Sequence, residues 1–254
     1  LGLVGSEMCI RDRPFDLGAY LAVQEVKKAA GPETPIGDVI TGFNVKGTVS
    51  GGTIASVAGM RDVPEQLQFT RSYWFSPVEG KAQKENAQAH FLPQFKRWGA
   101  YSLLSPHNTR VIQRTWGIFD QAIGAAGYGG SFQYYEGMVS ANVIVAWIVT
   151  YLMLALSFLV CHFEMFGKWI TNRIPQGTGG SMEEQLKGWA DIRSLASSQD
   201  GKTKGLSVIQ VKGDPGYLKT ATMIAETALA IALDYDNLSP ICLLYTSDAA
   251  DDMQ

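Results

Sequence analysis

The chain has 254 residues, with 21 basic and 24 acidic side chains, three cysteines and three histidines. Charges this evenly matched exclude the basic footprint of a nucleic-acid binder, and so few cysteines exclude a disulfide framework or a thiolate metal cage. The length suits one substantial core, and neither an internal repeat nor a low-complexity tract divides it.

Both ends read as foreign to what they flank. Glu7-Met-Cys-Ile-Arg-Asp-Arg13 can be written GAG-ATG-TGT-ATA-AGA-GAC-AGN and Cys242-Leu-Leu-Tyr-Thr-Ser247 as TGT-CTC-TTA-TAC-ACA-TCT. These strings are reverse complements over almost their whole length and match the inverted transposon end of sequencing-library adapters. Residues 1–13 and 242–254 are therefore expected to be adapter-derived and are set aside for fold reasoning, as a fusion scar would be. A secretory leader is the alternative for the first segment, but Glu7, Arg11 and Asp12 break its apolar run. Dropping two basic and five acidic residues with the ends leaves nineteen of each, and Cys161 is then the only cysteine.

Between the ends, Phe15, Leu17, Leu21, Val23 and Val26 recur at helical spacing up to Gly31-Pro32, which predicts an amphipathic helix over 15–30. Val39, Thr41, Phe43 and Val45 alternate as a half-buried strand does. A helix is predicted from Gly52 to Val63 and a shorter one over Pro64–Thr70, followed by a polar surface loop over Ser76–Phe95. Tyr101–Leu104 suggests a short strand. Ser105-Pro106 then offers a capping hydroxyl and a proline at the first helical position, opening a helix to about Ala122. Gly124–Gly130 is a glycine-rich connector, and Phe132–Val139 alternates as a strand.

The stretch Gly137–Cys161 carries no charge; at about 1.5 Å per residue it is long enough, as a helix, to cross a hydrocarbon layer of about 30 Å. With its flanks it predicts one long apolar helix over 138–163. Asn142, Ala146, Thr150, Met153 and Ser157 gather on one side of a helical wheel, a weakly polar stripe suited to face the protein, while Ile144, Trp147, Leu152, Leu154, Leu156 and Leu159 suit lipid or a dry interior. Both a buried central helix and a membrane-embedded or membrane-skimming one fit. Lys168–Gly180 reads as a basic loop beside a membrane. Ala190–Ser197 and Gly205–Lys212 flank the hairpin signal Gln199-Asp200-Gly201. A last helix over Tyr217–Asp234 carries Ala221, Ala225, Ala228 and Ala232, a small-residue face able to press against a sheet. The sum is an α+β fold, a mixed or antiparallel sheet of about five strands with helices around it.

Candidate chemistry is sparse. Gly124-Ala-Ala-Gly127-Tyr-Gly129-Gly130 looks like a phosphate loop, but it leaves a helix and opens a strand, the reverse of dinucleotide context. Thr53 and Ser56 beside Gly51-Gly52 suit an anion or carbonyl oxygen at a helix start, or serve only as a cap. Asn108, Arg110 and Arg114 offer fixed donors to a carboxylate or phosphate, or form a solvated helix face. His90, His107 and His162 are scattered and read as ordinary packed or surface residues.

Pro14-Phe-Asp-Leu-Gly-Ala-Tyr20, Gly51-Gly-Thr-Ile-Ala-Ser56, Asn108-Thr-Arg-Val-Ile-Gln-Arg114, Tyr134-Tyr-Glu136 running into an apolar helix, and Gly213-Asp-Pro-Gly-Tyr217 with Thr220-Ala221 occur in this order. The series resembles the later part of saccharopine dehydrogenase-like oxidoreductases, including trans-acting enoyl reductases of lipid synthesis. The resemblance implies an NAD(P)-dependent reductase in which a Rossmann domain precedes a substrate-side α+β domain, here 14–241. It implies that the Rossmann domain lies upstream of Pro14, so the fragment itself binds no cofactor and is inactive alone. It places Asp16, Thr53 and Ser56 in the cleft and gives Asn108, Arg110 and Arg114 the orienting of an acidic or acyl substrate. The proton donor stays open among Tyr134, Tyr135 and His107. A lipid or acyl substrate, a membrane or lipid-droplet surface inside the cell and no nucleic acid are the expected partners, with a homo-oligomer left open. The competing expectation is a non-catalytic membrane or lipid-droplet adaptor that keeps the fold.

Overall fold

A computed structural model describes residues 13–47, 72–81, 83, 87–174 and 178–233. The helices predicted over 52–63 and 64–70 lie outside these residues. Of the stretches read as adapter-derived, only Arg13 is described; it begins the first helix and its guanidinium donates to Thr227 Oγ1.

Helix α1 (Arg13–Ala30) turns Ala19, Ala22, Val23 and Val26 inward and stops at Gly31, whose φ of +108° suits a residue without a side chain. Strand β1 (Ile36–Lys46) follows, then the short pair β2 (His90–Leu92) and β3 (Arg97–Ala100). Helix α2 (Ser105–Ile123) leads through a 3-10 turn at Gly124–Ala126 into β4 (Gln133–Val139). The apolar helix α3 (Val143–His162) is succeeded by α4 (Glu164–Arg173) and the single-turn α5 (Met182–Leu186). The hairpin β5 (Trp189–Ser198) and β6 (Lys204–Lys212) precedes α6 (Leu218–Leu233). The result is α+β, with one six-stranded mixed sheet in the order β2-β3-β4-β1-β5-β6. Only β1 and β4 run parallel.

Several boundaries differ from the sequence expectation for physical reasons. The strand near Tyr101 is β3, four residues earlier, and it pairs with β2 inside the stretch expected to be loop. Leu104, not Ser105, is the N-cap of α2, and Ser105 is buried in the first turn. The apolar helix is 20 residues long rather than spanning 138–163, because Met138 and Val139 are claimed by pairing with β1 and β3 and Asn142 caps the start by accepting from the Val145 N–H at 3.0 Å. Much of the expected basic loop is helix α4. The alanine face of α6 is exposed, so it does not press on the sheet.

The main core lies between the sheet and helices α1 and α2, where Val23, Val26, Val39, Ile112, Trp116, Phe132 and Tyr134 are packed together. Gly205 permits this approach, since a Cβ there would fall 2.3 Å from the Ala22 carbonyl oxygen of α1. The weakly polar stripe of α3 faces the protein as expected. Ala146 and Thr150 are fully buried, and Thr150 Oγ1 accepts from the Tyr101 N–H at 3.0 Å while donating to the Ala146 carbonyl at 2.8 Å.

Candidate functional site

Register across the sheet defines what α1 and α2 cover and what they leave. On the helix-covered face, Tyr134, Val39 and Ala196 lie side by side; two residues along come Glu136, Thr41, Ser194 and Ser207; two further come Met138, Phe43, Ile192 and Ile209. Alternation along each strand puts all three rows on one face. The first row is apolar core, the second polar, the third apolar again.

The polar row is buried and tied to the helices above it. Asn108 Nδ2 of α2 donates to both Glu136 oxygens, at 2.9 and 3.1 Å, and the Tyr134 hydroxyl donates to Glu136 Oε2 at 3.1 Å. Thr41 Oγ1 and Ser194 Oγ are 2.7 Å apart, and Ser207 Oγ donates to the Gly18 carbonyl at 2.6 Å. Asp16 Oδ2 accepts from the Thr115 hydroxyl at 2.8 Å, pinning α1 to α2. Burial pushes the Tyr134 phenol well above its usual range, and the nearby Glu136 charge adds to the effect. Tyr73, at the far side of the same core, is raised to about 12 by burial, against the opposing pull of the Arg110 cation. These phenols are held neutral at physiological pH.

The third row opens into a chamber of about 890 Å³. Its floor is Phe43, Val45, Met138, Ala190 and Ile192; Met153, Leu156 and Val160 of α3, Ile170 of α4 and Met223 of α6 enclose it. Phe15 of α1 meets Phe43 edge to face, with ring centroids 5.3 Å apart, and stands where the chamber adjoins the helix-covered region. The volume falls in the range of about 300–1,000 Å³ usual for small-molecule sites. Polar groups are few and several are already engaged: Ser102 Oγ accepts from the Leu104 N–H at 3.2 Å, and Asp214 Oδ1 from the Gly216 N–H at 2.8 Å. Lys212 and Lys219 are the cations bordering the chamber.

The site residues expected from sequence fall in different places. Thr53 and Ser56 lie outside the described residues. Asp16 and Asn108 join the polar layer. Asn108 and Arg110 are each 1% exposed, which overturns the solvated-face alternative. Arg114 donates to the Phe75 carbonyl at 2.9 Å. None of these four lines the chamber, nor do Tyr134, Tyr135 or His107. Tyr135 points to the opposite face and donates to Gln133 Oε1 at 3.3 Å; His107 packs its ring against Phe75. What sequence reasoning missed is the chamber floor. Phe43 and the Tyr134–Val139 alternation were visible, but the juxtaposition of Phe43, Met138 and Ile192 depends on long-range register.

The glycine-rich loop after α2 is occupied structurally: the Trp116 indole donates to the Gly129 carbonyl at 2.9 Å, the Ile36 N–H to the Tyr128 carbonyl at 2.8 Å, and a Cβ on Gly129 would lie 3.1 Å from Pro35. No group of three or more histidine, cysteine or carboxylate side chains able to hold a metal occurs among the described residues.

The fold and the chamber define an α+β structure with an apolar cavity beneath a greasy helix. Over 93% of its length the chain is 28% identical to a protein of Mycobacterium tuberculosis (strain ATCC 25618 / H37Rv) provisionally named a trans-acting enoyl reductase. It is 25% identical, over the same share, to the trans-acting enoyl reductase of Mycobacterium bovis (strain BCG / Pasteur 1173P2), and 27% identical over 60% of its length to that of Mycobacterium ulcerans (strain Agy99). The chain spans 60% of the length of the first two relatives and 37% of the third. These similarities support the enoyl reductase side of the resemblance carried by the sequence motifs. No family model matches the chain, and no solved structure does.

Proposed function

We propose that this chain is the substrate-side part of an NAD(P)-dependent, saccharopine dehydrogenase-like enoyl reductase acting on a lipid or acyl-type substrate. The observation that carries the proposal is a half-open apolar chamber in a chain similar along 93% of its length to proteins named for enoyl reduction. An apolar chamber of this kind holds hydrocarbon by excluding water, at about 0.8 kcal/mol per buried methylene. The polar layer gives its floor rigidity, since the strands bearing Phe43, Met138 and Ile192 also bear Thr41, Glu136 and Ser194 two residues away.

In this reading the nicotinamide nucleotide is seated by the share of the relatives' length that the chain does not span, and the chain alone is inactive. Asn108 acts through the floor by holding Glu136 of β4, and Asp16 by pinning α1 to α2. The test is fluorescence titration with NADPH. The chain as written gives no saturable signal, and a version extended to the relatives' full length gives one; an extended version that fails to bind overturns the reductase reading.

The reading also places α3 on a lipid surface within the cell, a membrane or a lipid droplet. α3 has the length and composition to cross a membrane, and Ile144 (68%), Ile148, Leu152 (62%) and Phe158 are exposed along it. Its inner side, however, is engaged at mid-helix by Tyr101 and lower down by the chamber. A spanning orientation would carry the sheet edge to the bilayer centre, where backbone groups find no water. Lying flat with the outer side immersed suits this geometry better. Trp169 of α4, with the Arg173 guanidinium 5.6 Å above its ring, is an interfacial anchor of the usual chemistry. Flotation with liposomes tests this: the chain co-floats, and Ile148→Lys with Leu152→Lys abolishes it.

A further inference from the structure

We propose that the chamber binds one long acyl chain, with an anionic head, carboxylate or phosphate, held at the rim by Lys219. This deepens the reductase reading and rests on it for the substrate class.

Three observations converge on that ligand. First, apart from Phe15, Phe43 and Tyr101 the wall is aliphatic and thioether. Met138, Met153 and Met223 come from a strand and two different helices, and methionine's three rotatable bonds let such a wall follow a flexible chain. A flat heteroaromatic ligand would call instead for paired hydrogen-bonding groups. Secondly, the polar groups at one end of the cavity are unequal in availability. Asp214 is fully buried and turned into its own turn, accepting from the Gly216 N–H, whereas Lys219 of α6 is half-buried at the chamber; Lys212 falls, by alternation from Ile209 and Val211, on the opposite face of the sheet. The charge a ligand meets at this rim is therefore positive, and an anionic head is its complement. Thirdly, the enclosing helices are those whose outer sides are apolar: Leu156 and Val160 face inward on the same helix whose Leu152 and Phe158 face outward. A lipid surface against α3 thus lies one helix thickness from the chamber, about 10 Å.

The test is equilibrium binding of cis-parinaric acid, a fluorescent acyl chain with a carboxylate head, to the chain as written and without nucleotide. Saturable binding displaced by oleate is expected. Displacement by lysophosphatidate in addition to oleate assigns the rim to anions generally, and displacement by oleate alone restricts it to carboxylates; both outcomes support the site. Ile192→Trp, which fills the floor, weakens binding by about tenfold or more, and Met153→Trp on the opposite wall does the same should Ile192→Trp disturb folding as judged by circular dichroism. The variant K219E weakens oleate about tenfold and leaves oleyl alcohol unchanged, whereas K212E on the opposite face changes neither. Absence of saturable binding, binding indifferent to both tryptophan variants, or equal losses for oleate and oleyl alcohol in K219E overturns the proposal. The measurement is independent of NADPH. An acyl site without nucleotide binding by the extended protein leaves the chamber standing and removes the reductase. NADPH binding and enoyl reduction by the extended protein, without acyl binding in the chain, does the reverse.

Discussion

Two halves of one sheet face, built from the same strands and two residues apart in register, end in opposite states. Around Glu136, Thr41, Ser194 and Ser207 polar groups are matched one to another and sealed beneath α1 and α2. Around Phe43, Met138 and Ile192 the covering helices stand back and leave about 890 Å³. In the sealed half the hydrogen bonds among these groups hold helices on strands. The open half keeps apolar surface uncovered, a state that costs stability unless something fills it. Substitutions on the two halves should therefore behave differently.

The largest expected effect is in the sealed half. Trp116→Ala removes a buried indole that packs on Tyr73 and donates to Gly129, and should destabilise by about 3–5 kcal/mol in denaturant unfolding. Leu156→Ala, lining the open chamber, should cost less than about 1 kcal/mol by the same measurement, since the space beside it is already unfilled. Equal losses would erase the distinction. Asn108→Ala withdraws the amide shared by both Glu136 oxygens and should cost about 1.5–3 kcal/mol in the same unfolding measurement.

A pH effect of intermediate size follows from the buried phenols. Tyr73 titrates at about 12 folded against 10.0 in the open chain, and Tyr128 and Tyr134 are raised well above 10.0 by burial. Above pH 10 the unfolded chain releases protons that the folded one retains. Stability, fully present below pH 10, should therefore fall toward pH 12, by up to about 1.4 kcal/mol per pH unit for each such tyrosine. Alkaline unfolding midpoints check it, and Tyr73→Phe should flatten the slope. A comparable effect concerns α3: Thr150→Val removes the acceptor of the buried Tyr101 N–H and should cost about 1–2 kcal/mol with the helix retained.

The parts of the fold that local chemistry controls were legible. The 3.6-residue pattern of α1 up to Gly31, the β5–β6 hairpin about Asp200-Gly201 and the polar stripe of α3 all lie where the residues place them. Strands of three or four residues such as β2 and β3 hold too little alternation to announce themselves, and their pairing is decided by the partner strand β4. Asn108 and Arg110 mimic a solvated face because hydrophobic periodicity carries no signal for a polar layer matched by Glu136 across the core. The alanines of α6 mimic a packing face, yet helix propensity alone accounts for alanine on an exposed surface. The chamber is least legible of all, since it exists only where register brings Phe43, Met138 and Ile192 together and α3, α4 and α6 stand off from them.

Hydrogen exchange with and without saturating oleate tests the central claim most directly. Amides in the second half of α3, in α4 and in α6 should gain protection when oleate is present, while those of α1 and α2 stay as they were. Gains confined to the helices over the polar layer, or none anywhere, would contradict the division of the sheet face into a sealed half and a ligand-binding half.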